Sequence, residues 1–314
     1  MKRLTFPITE KDISQLVGRS IHAPILVGDL TSLGLDQAEF LNFFSPVFQT
    51  LPWDPYDARR LRIEFLENTF PAAQKEIRSF FKAYYQGEIS LTALEPWVQQ
   101  LTPSQAADFA QIQPWRRRSV AGFYLSEKDG NITIERTPVE QFSQQVADED
   151  FRSWPRIFAE ADTAYVEQVL FSDLLRAVFE VVKARRPNLY KIHLTSHFMS
   201  VRATEKAPGD NSPEGAHEDG ADFIVSALVI NRFNVAGGES QILEKLKDGQ
   251  KEIIFKQTLA PGEFIFQADT GEEIIYGNDL WHHVTPFHLA DSQRAEGWRD
   301  IIGFDIVLVE KEAS

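Results

Sequence analysis

The 314-residue chain has no cysteine. Disulfides, thiolate metal ligands and cysteine nucleophiles are excluded together. Any metal must be held by histidine, carboxylate or water. Long apolar runs are missing too. No stretch nears the ~18 consecutive apolar residues of a membrane span. Met1-Lys2-Arg3 is followed by no apolar segment, so a signal peptide is not expected and the cytoplasm is the expected location. Positive charge is scarce: 32 Lys and Arg stand against 46 Asp and Glu, a net charge of −14. Phosphate binding needs a basic surface, so nucleic acid is not expected as a partner. Internal repeats and low-complexity segments are also absent.

What remains is an ordinary globular composition, 43% hydrophobic and 25% charged. The 24 Phe and 6 Trp point to a large aromatic core. Glu10 to Val17 reads as a helix stopped by Gly18, and Leu35 to Phe48 has a roughly helical apolar pattern. Tyr56 to Leu66 reads as helix or strand. Ala72 to Tyr85 reads as a helix with Gly87 beyond it, and Thr102-Pro103 opens another that Pro114 stops. Arg116-Arg117-Arg118 reads as solvated surface, with an anion site as the alternative.

From Ser119 the period changes. Ser119–Ser126 and Asn131–Arg136 read as a hairpin. Asp162 to Lys183 carries the strongest helical pattern and should pack on a sheet. Beyond Pro187 the candidate strands are 190–203, 222–231, 239–244, 252–259, 263–267, 273–278, 281–285 and 299–309. Short strands with turns and no helices between them fit a double-sheet jelly roll. The expected class is α+β, with a double-stranded β-helix (jelly roll) core, an N-terminal helical or mixed region and a packing helix. The expected division is residues 1–114, mostly helical, and 115–314, the core, packed as one unit.

The chemistry centres on Pro213-Glu214-Gly215-Ala216-His217-Glu218-Asp219-Gly220, just before the apolar run Phe223 to Ile230. In extended chain His217 and Asp219 point the same way. Further on come His282 and His283, adjacent, so that only one can face a common metal; the residues alone leave that choice open. Two His and one carboxylate with open positions opposite is the pattern of non-haem iron(II) oxygenases. Arg299 then opens an apolar strand, where a cation is costly unless paired with an anion. His193, His197 and His288 read as structural or solvated, with His197 the best spare ligand.

His217-x-Asp219, the distal His and the following Arg resemble the iron(II)- and 2-oxoglutarate-dependent dioxygenases. The wider wording, with Gly237-Gly238-Glu239-Ser240-Gln241 and His282-His283-Val284-Thr285-Pro286, resembles the bacterial free amino acid hydroxylase group that includes isoleucine 4-hydroxylase. That resemblance spans roughly residues 115–309. It implies that His217, Asp219 and His282 hold Fe(II), and that Arg299 pairs with the far carboxylate of 2-oxoglutarate. It also implies that O2 is consumed while a small-molecule substrate, an amino acid, is hydroxylated. In related halogenases the carboxylate ligand is replaced by a small residue; Asp219 disfavours that chemistry. An amino acid needs a cation and an anion, for which Arg202 and Glu239 are the candidates, with plain surface charge as the alternative. A peptide, carrier-bound or protein substrate keeps the same chemistry. A non-catalytic jelly-roll binding module would have no use for a complete triad with a matched Arg. A zinc hydrolase would not need Arg299.

Overall fold

The structure is a computed structural model and describes residues 4–139, 141 and 151–309. The chain divides into two compact units. The first comprises Met1–Leu51, Arg118–Val139 and Ala159–Ser314. Its strands in chain order are β1 (Ile8–Thr9), β2 (Ile25–Asp29), β3 (Arg116–Lys128, whose first two residues fall in the second unit), β4 (Asn131–Thr137), β5 (Lys191–Thr204), β6 (Phe223–Phe233) and β7 (Val235–Gly237). There follow β8 (Ser240–Lys245), β9 (Lys251–Gln257), β10 (Glu263–Ala268), β11 (Asp279–Val284), β12 (Phe287–Leu289) and β13 (Glu296–Leu308). An eight-stranded sheet runs β1-β2-β10-β6-β13-β5-β3-β4; a three-stranded sheet runs β11-β8-β9, and β12 pairs with β7. The architecture is thus mixed α/β with large antiparallel pairings.

Alternation along β13 positions the site. Phe304 on one face meets Phe171 of the helix Val169–Arg185, ring centroids 6.3 Å apart. Leu174, Val178 and Val181 of that helix border one apolar space with Val225, Leu228, Phe264, Phe266 and Phe304. Each such side chain contributes about 1.5–3 kcal/mol on burial. Ile302 and Ile306, fully buried, share the face of Phe304. Arg299, Ile301, Gly303 and Asp305 therefore look to the other side. Arg299 stands directly opposite Val201 on β5 and Arg232 on β6. Residues so opposed share a face.

Local signals explain several boundaries. Gly18 (φ 70°) caps the helix Glu10–Val17 in left-handed conformation. Asp129 and Gly130, φ 52° and 79°, form the two-residue turn of the β3–β4 hairpin. The expected strand at 273–278 is instead a helical turn, Glu273–Tyr276, preceded by a 3₁₀ turn and closed by left-handed Gly277. At four residues, such a segment carries no period long enough to tell helix from strand.

The second unit comprises Pro52–Arg117 and Glu140–Phe158. Its helices include Tyr56–Thr69, Gln74–Ser79, Phe81–Gln86 and Pro103–Gln111. Thr102 and Gln105 form a capping box at the start of the last. Aromatic rings make its core: Tyr56 lies 5.1 Å from Tyr85, and Trp154 lies 5.0 Å from Phe81. Burial pushes the Tyr85 phenol up to about 12. Among the described residues, no helix is long and apolar enough to cross a membrane.

Candidate metal centre

The segment ahead of β6 and strand β11 are tied by an isolated antiparallel bridge between His217 and His282. Each backbone N–H donates to the other residue's carbonyl at 3.0 Å. A reciprocal bridge places both side chains on one face. Their ring centroids are accordingly 4.2 Å apart. Asp219, two residues after His217, folds back onto the pair. Its Oδ1 is 3.6 Å from His217 Nε2, and its Oδ2 is 3.4 Å from His282 Nε2. One ligand atom from each of the three lies within 4.8 Å of the others. His283 turns the other way, its Nδ1 3.3 Å from Gln241 Oε1.

The donor chemistry fits a divalent cation. His217 Nδ1 is 2.9 Å from the Gly215 carbonyl, which can only accept, so Nδ1 carries the proton. Nε2 then faces the Asp219 and Glu214 carboxylates and is the ring nitrogen placed to ligate a metal. Burial, with His217 and His283 nearby, holds the His282 pKa well below its usual range, so that ring is neutral. Burial raises Asp219 to about 6; Asp305 and Glu214 add to the rise and His217 opposes it. Taking a carboxylate out of water is costly without a cation, and a metal ion between these donors supplies one.

Residues around the triad complete the picture. Glu214 Oε1 lies 3.2 Å from His217 Nε2. His197 Nε2 meets Asp305 Oδ2 at 2.9 Å, on the face of β13 that carries Arg299. Arg299 is 0% exposed, although arginine is almost never buried unpaired. It donates to Asn211 Oδ1 at 3.3 Å and to Ser240 Oγ at 3.5 Å, both long bonds. Its Nε has no partner among the described residues. Burial, then the neighbouring Arg232, lower its pKa to about 9, against a pull upward from Asp300.

The structure does not bring Arg202 or Glu239 to this cluster. Arg202 opposes Trp298, not Arg299, and so faces away. It donates to Gln49 Oε1 at 2.6 Å and stacks over Trp298, 4.6 Å from the ring centre. Glu239 accepts from Gln241 Nε2 at 2.9 Å. It shares the side of Gln241 and His283, whereas Ser240 turns toward Arg299. An acid that does approach the triad, Glu214, belongs to the same sequence segment as His217. Only its position three residues ahead of His217, across the tight turn at Gly215 (φ 80°), brings it back to the ring.

A family model described as 2OG-Fe dioxygenase matches residues 98–305. No curated protein matches the chain in sequence. Among solved structures, a BsmA homologue from Methylobium petroleophilum PM1 is 16% identical, with TM-score 0.56, covering 97% of this chain and 88% of its own. IDO from Bacillus thuringiensis is 15% identical, with TM-score 0.55, covering 99% of each chain. At such identities these likenesses speak to the fold alone. The family match extends over most of the chain, including β3 through the greater part of β13, and takes in both histidines, Asp219 and Arg299. The chain belongs to the 2OG-Fe dioxygenase family, whose members use iron(II), 2-oxoglutarate and dioxygen.

Proposed function

We propose that this protein hydroxylates an unactivated C–H bond of a free amino acid or similar small metabolite. The reaction is coupled to oxidative decarboxylation of 2-oxoglutarate to succinate and CO2. The observation that carries the reading is the pairing of two features: the His217–Asp219–His282 cluster, and a fully buried, underpaired Arg299 on the neighbouring strand face. In this reading the large sheet and the β11-β8-β9 sheet are the two walls of a double-stranded β-helix.

His217, Asp219 and His282 would hold iron(II), leaving positions open for 2-oxoglutarate and oxygen. The bound metal supplies the oxidising chemistry; the protein supplies binding, orientation and exclusion of water. Arg299 fixes the cosubstrate by its distal carboxylate, to which a planar guanidinium is matched. Asn211 Oδ1 and Ser240 Oγ receive only long bonds from that guanidinium, which leaves it able to turn to the cosubstrate. Glu214 offers a carboxylate beside the triad, where a substrate ammonium would find its counter-charge. The amino acid assignment is further supported by the wording Pro213 to Gly220 and its resemblance to bacterial free amino acid hydroxylases.

The test is succinate formation from 2-oxoglutarate with iron(II), run across a panel of free amino acids and of the same residues in peptides. Succinate coupled stoichiometrically to one hydroxylated free amino acid is the expected result. Turnover confined to peptides would move the substrate to a peptide, carrier or protein side chain. No coupled turnover with any member, while metal and 2-oxoglutarate still bind, would remove the amino acid reading.

A further inference from the structure

A second guanidinium, that of Arg232, stands beside Arg299. The two residues are directly opposed across β6 and β13, so their side chains leave the same face of the sheet. A Cβ placed on Gly238 would lie 3.4 Å from Arg232 Nη1 and 3.5 Å from Arg299 Cδ. Both side chains therefore border one space, and the missing side chain at position 238 leaves room there. Gly238 also has φ +68°, which disfavours any other residue. Arg232 donates through Nη2 to the Gly237 carbonyl at 2.5 Å. Its Nη1 is buried without a partner, as is Nε of Arg299. Among the described residues neither guanidinium has an ion-pair partner. Two adjacent like charges, partly or wholly out of water, disfavour each other unless an anion sits with them.

We propose that Arg232 and Arg299 together form a two-guanidinium seat for the distal carboxylate of 2-oxoglutarate. This rests on the assignment of Arg299 given under Proposed function and adds a second cation to it. One carboxylate has two oxygens and about four acceptor sites, enough to receive N–H groups from both guanidinium groups. The seat then selects sharply for a 2-oxo acid with a distal carboxylate over one that ends in a methyl group. An uncharged ligand end would bring no counter-charge to either cation.

The experiment measures binding of 2-oxoglutarate and of 2-oxopentanoate, which lacks the distal carboxylate, to the iron(II) protein without oxygen. The readout is the absorbance band that forms when a 2-oxo acid chelates iron(II). The decisive quantity is the ratio of the two Kd values, because misfolding affects both ligands alike. Arg232→Gln should shrink the wild-type ratio roughly 10- to 100-fold, as loss of a charge-assisted hydrogen bond implies. Arg232→Lys should retain part of it, keeping charge without the planar fork. A wild-type ratio in Arg232→Gln overturns the proposal, whatever the absolute affinities. So does a wild-type ratio with a raised substrate KM, which would give Arg232 to the substrate. Arg299→Gln separates the two readings. If it shrinks the ratio and Arg232→Gln does not, only the two-guanidinium seat falls. If neither variant changes the ratio, the assignment of Arg299 falls as well.

Discussion

One carboxylate oxygen of Asp269, Oδ2, accepts the backbone N–H of Asp219 at 3.1 Å. The same oxygen takes those of Gly220 and Ala221 at 2.8 and 2.9 Å. A residue 50 positions away in sequence thus fixes the turn that aims Asp219 at the two histidines. Groups that orient metal ligands typically contribute about 10–100-fold to metal affinity. Asp269→Ala should weaken binding of iron(II), or of cobalt(II) as a stand-in, by about that factor. Asp269→Asn should be milder, since its amide oxygen still accepts. Calorimetric titration of the metal-free variants checks this; wild-type affinity in Asp269→Ala would show that the turn holds its shape unaided.

The adjacent histidines give the second prediction. His282 is buried and turned to Asp219, while His283 faces Gln241. His282→Ala should abolish metal binding at stoichiometric concentration, and Asp219→Ala should abolish hydroxylation or nearly so. His283→Ala should keep both within a few-fold. Metal titration alongside succinate assays of the three variants decides it, and the reverse order for the histidines would exchange their roles.

Much of this site was legible because its residues lie close in sequence or in a strand of clear period. His217 and Asp219 precede an apolar run, and the alternation of β13 divides Arg299 from Asp300. Asp269 was not legible, since its three partners come near only once β10 is in the sheet. The strand β2, Ile25–Asp29, is hard to read from sequence for a different reason. It is buried almost throughout, so it lacks the alternation that marks a half-exposed strand. The helical pattern of 72–85 hides a break at Phe80, where one helix stops and the next begins. Expected solvation of the Arg116–Arg118 cluster fails at Arg116, which is 7% exposed and 3.6 Å from Asp57. Charge in a row reads as surface when the partner that neutralises it is distant in sequence.

Asp300 supplies a pH-dependent prediction. It is 0% exposed, on the face of β13 opposite Arg299. Burial raises its pKa to about 6 from 3.8, against opposing contributions from Ser200, Arg202 and Asn231. A carboxyl whose folded pKa is raised binds its proton more tightly in the native state than in the unfolded one. Its contribution is therefore fully present below the unfolded pKa and lost as pH rises through the folded value. Between pH of about 4 and 6 this residue makes the protein less stable as pH rises. Asp300→Asn cannot ionise and escapes that loss. Urea melts at pH 4.5 and 7 should show the variant gaining on wild type at the higher pH. A variant-minus-wild-type difference independent of pH would mean that Asp300 does not titrate in this window.

Glu214 provides the last test, and it bears on the substrate. Its Oε1 is 3.2 Å from His217 Nε2, with the side chain 18% exposed, so it borders the metal position while still reaching solvent. If its task is to receive the substrate ammonium, Glu214→Gln should raise the substrate KM by about 10- to 100-fold, the cost of a charge-assisted hydrogen bond in a partly shielded site. Metal affinity and 2-oxoglutarate affinity should stay within a few-fold of wild type. A substrate analogue with hydroxyl in place of the amino group should be nearly indifferent to the change, because it carries no cation for Glu214 to match. Comparing KM for the amine and its hydroxy analogue in wild type and Glu214→Gln isolates that pairing from any general disturbance of the site. Equal losses for both analogues would mean that Glu214 shapes the pocket without recognising charge. Loss of metal binding in Glu214→Gln would instead make it a fourth ligand, and the ammonium would need another anion; Asp305, held by His197 at 2.9 Å, is the next carboxylate on that face.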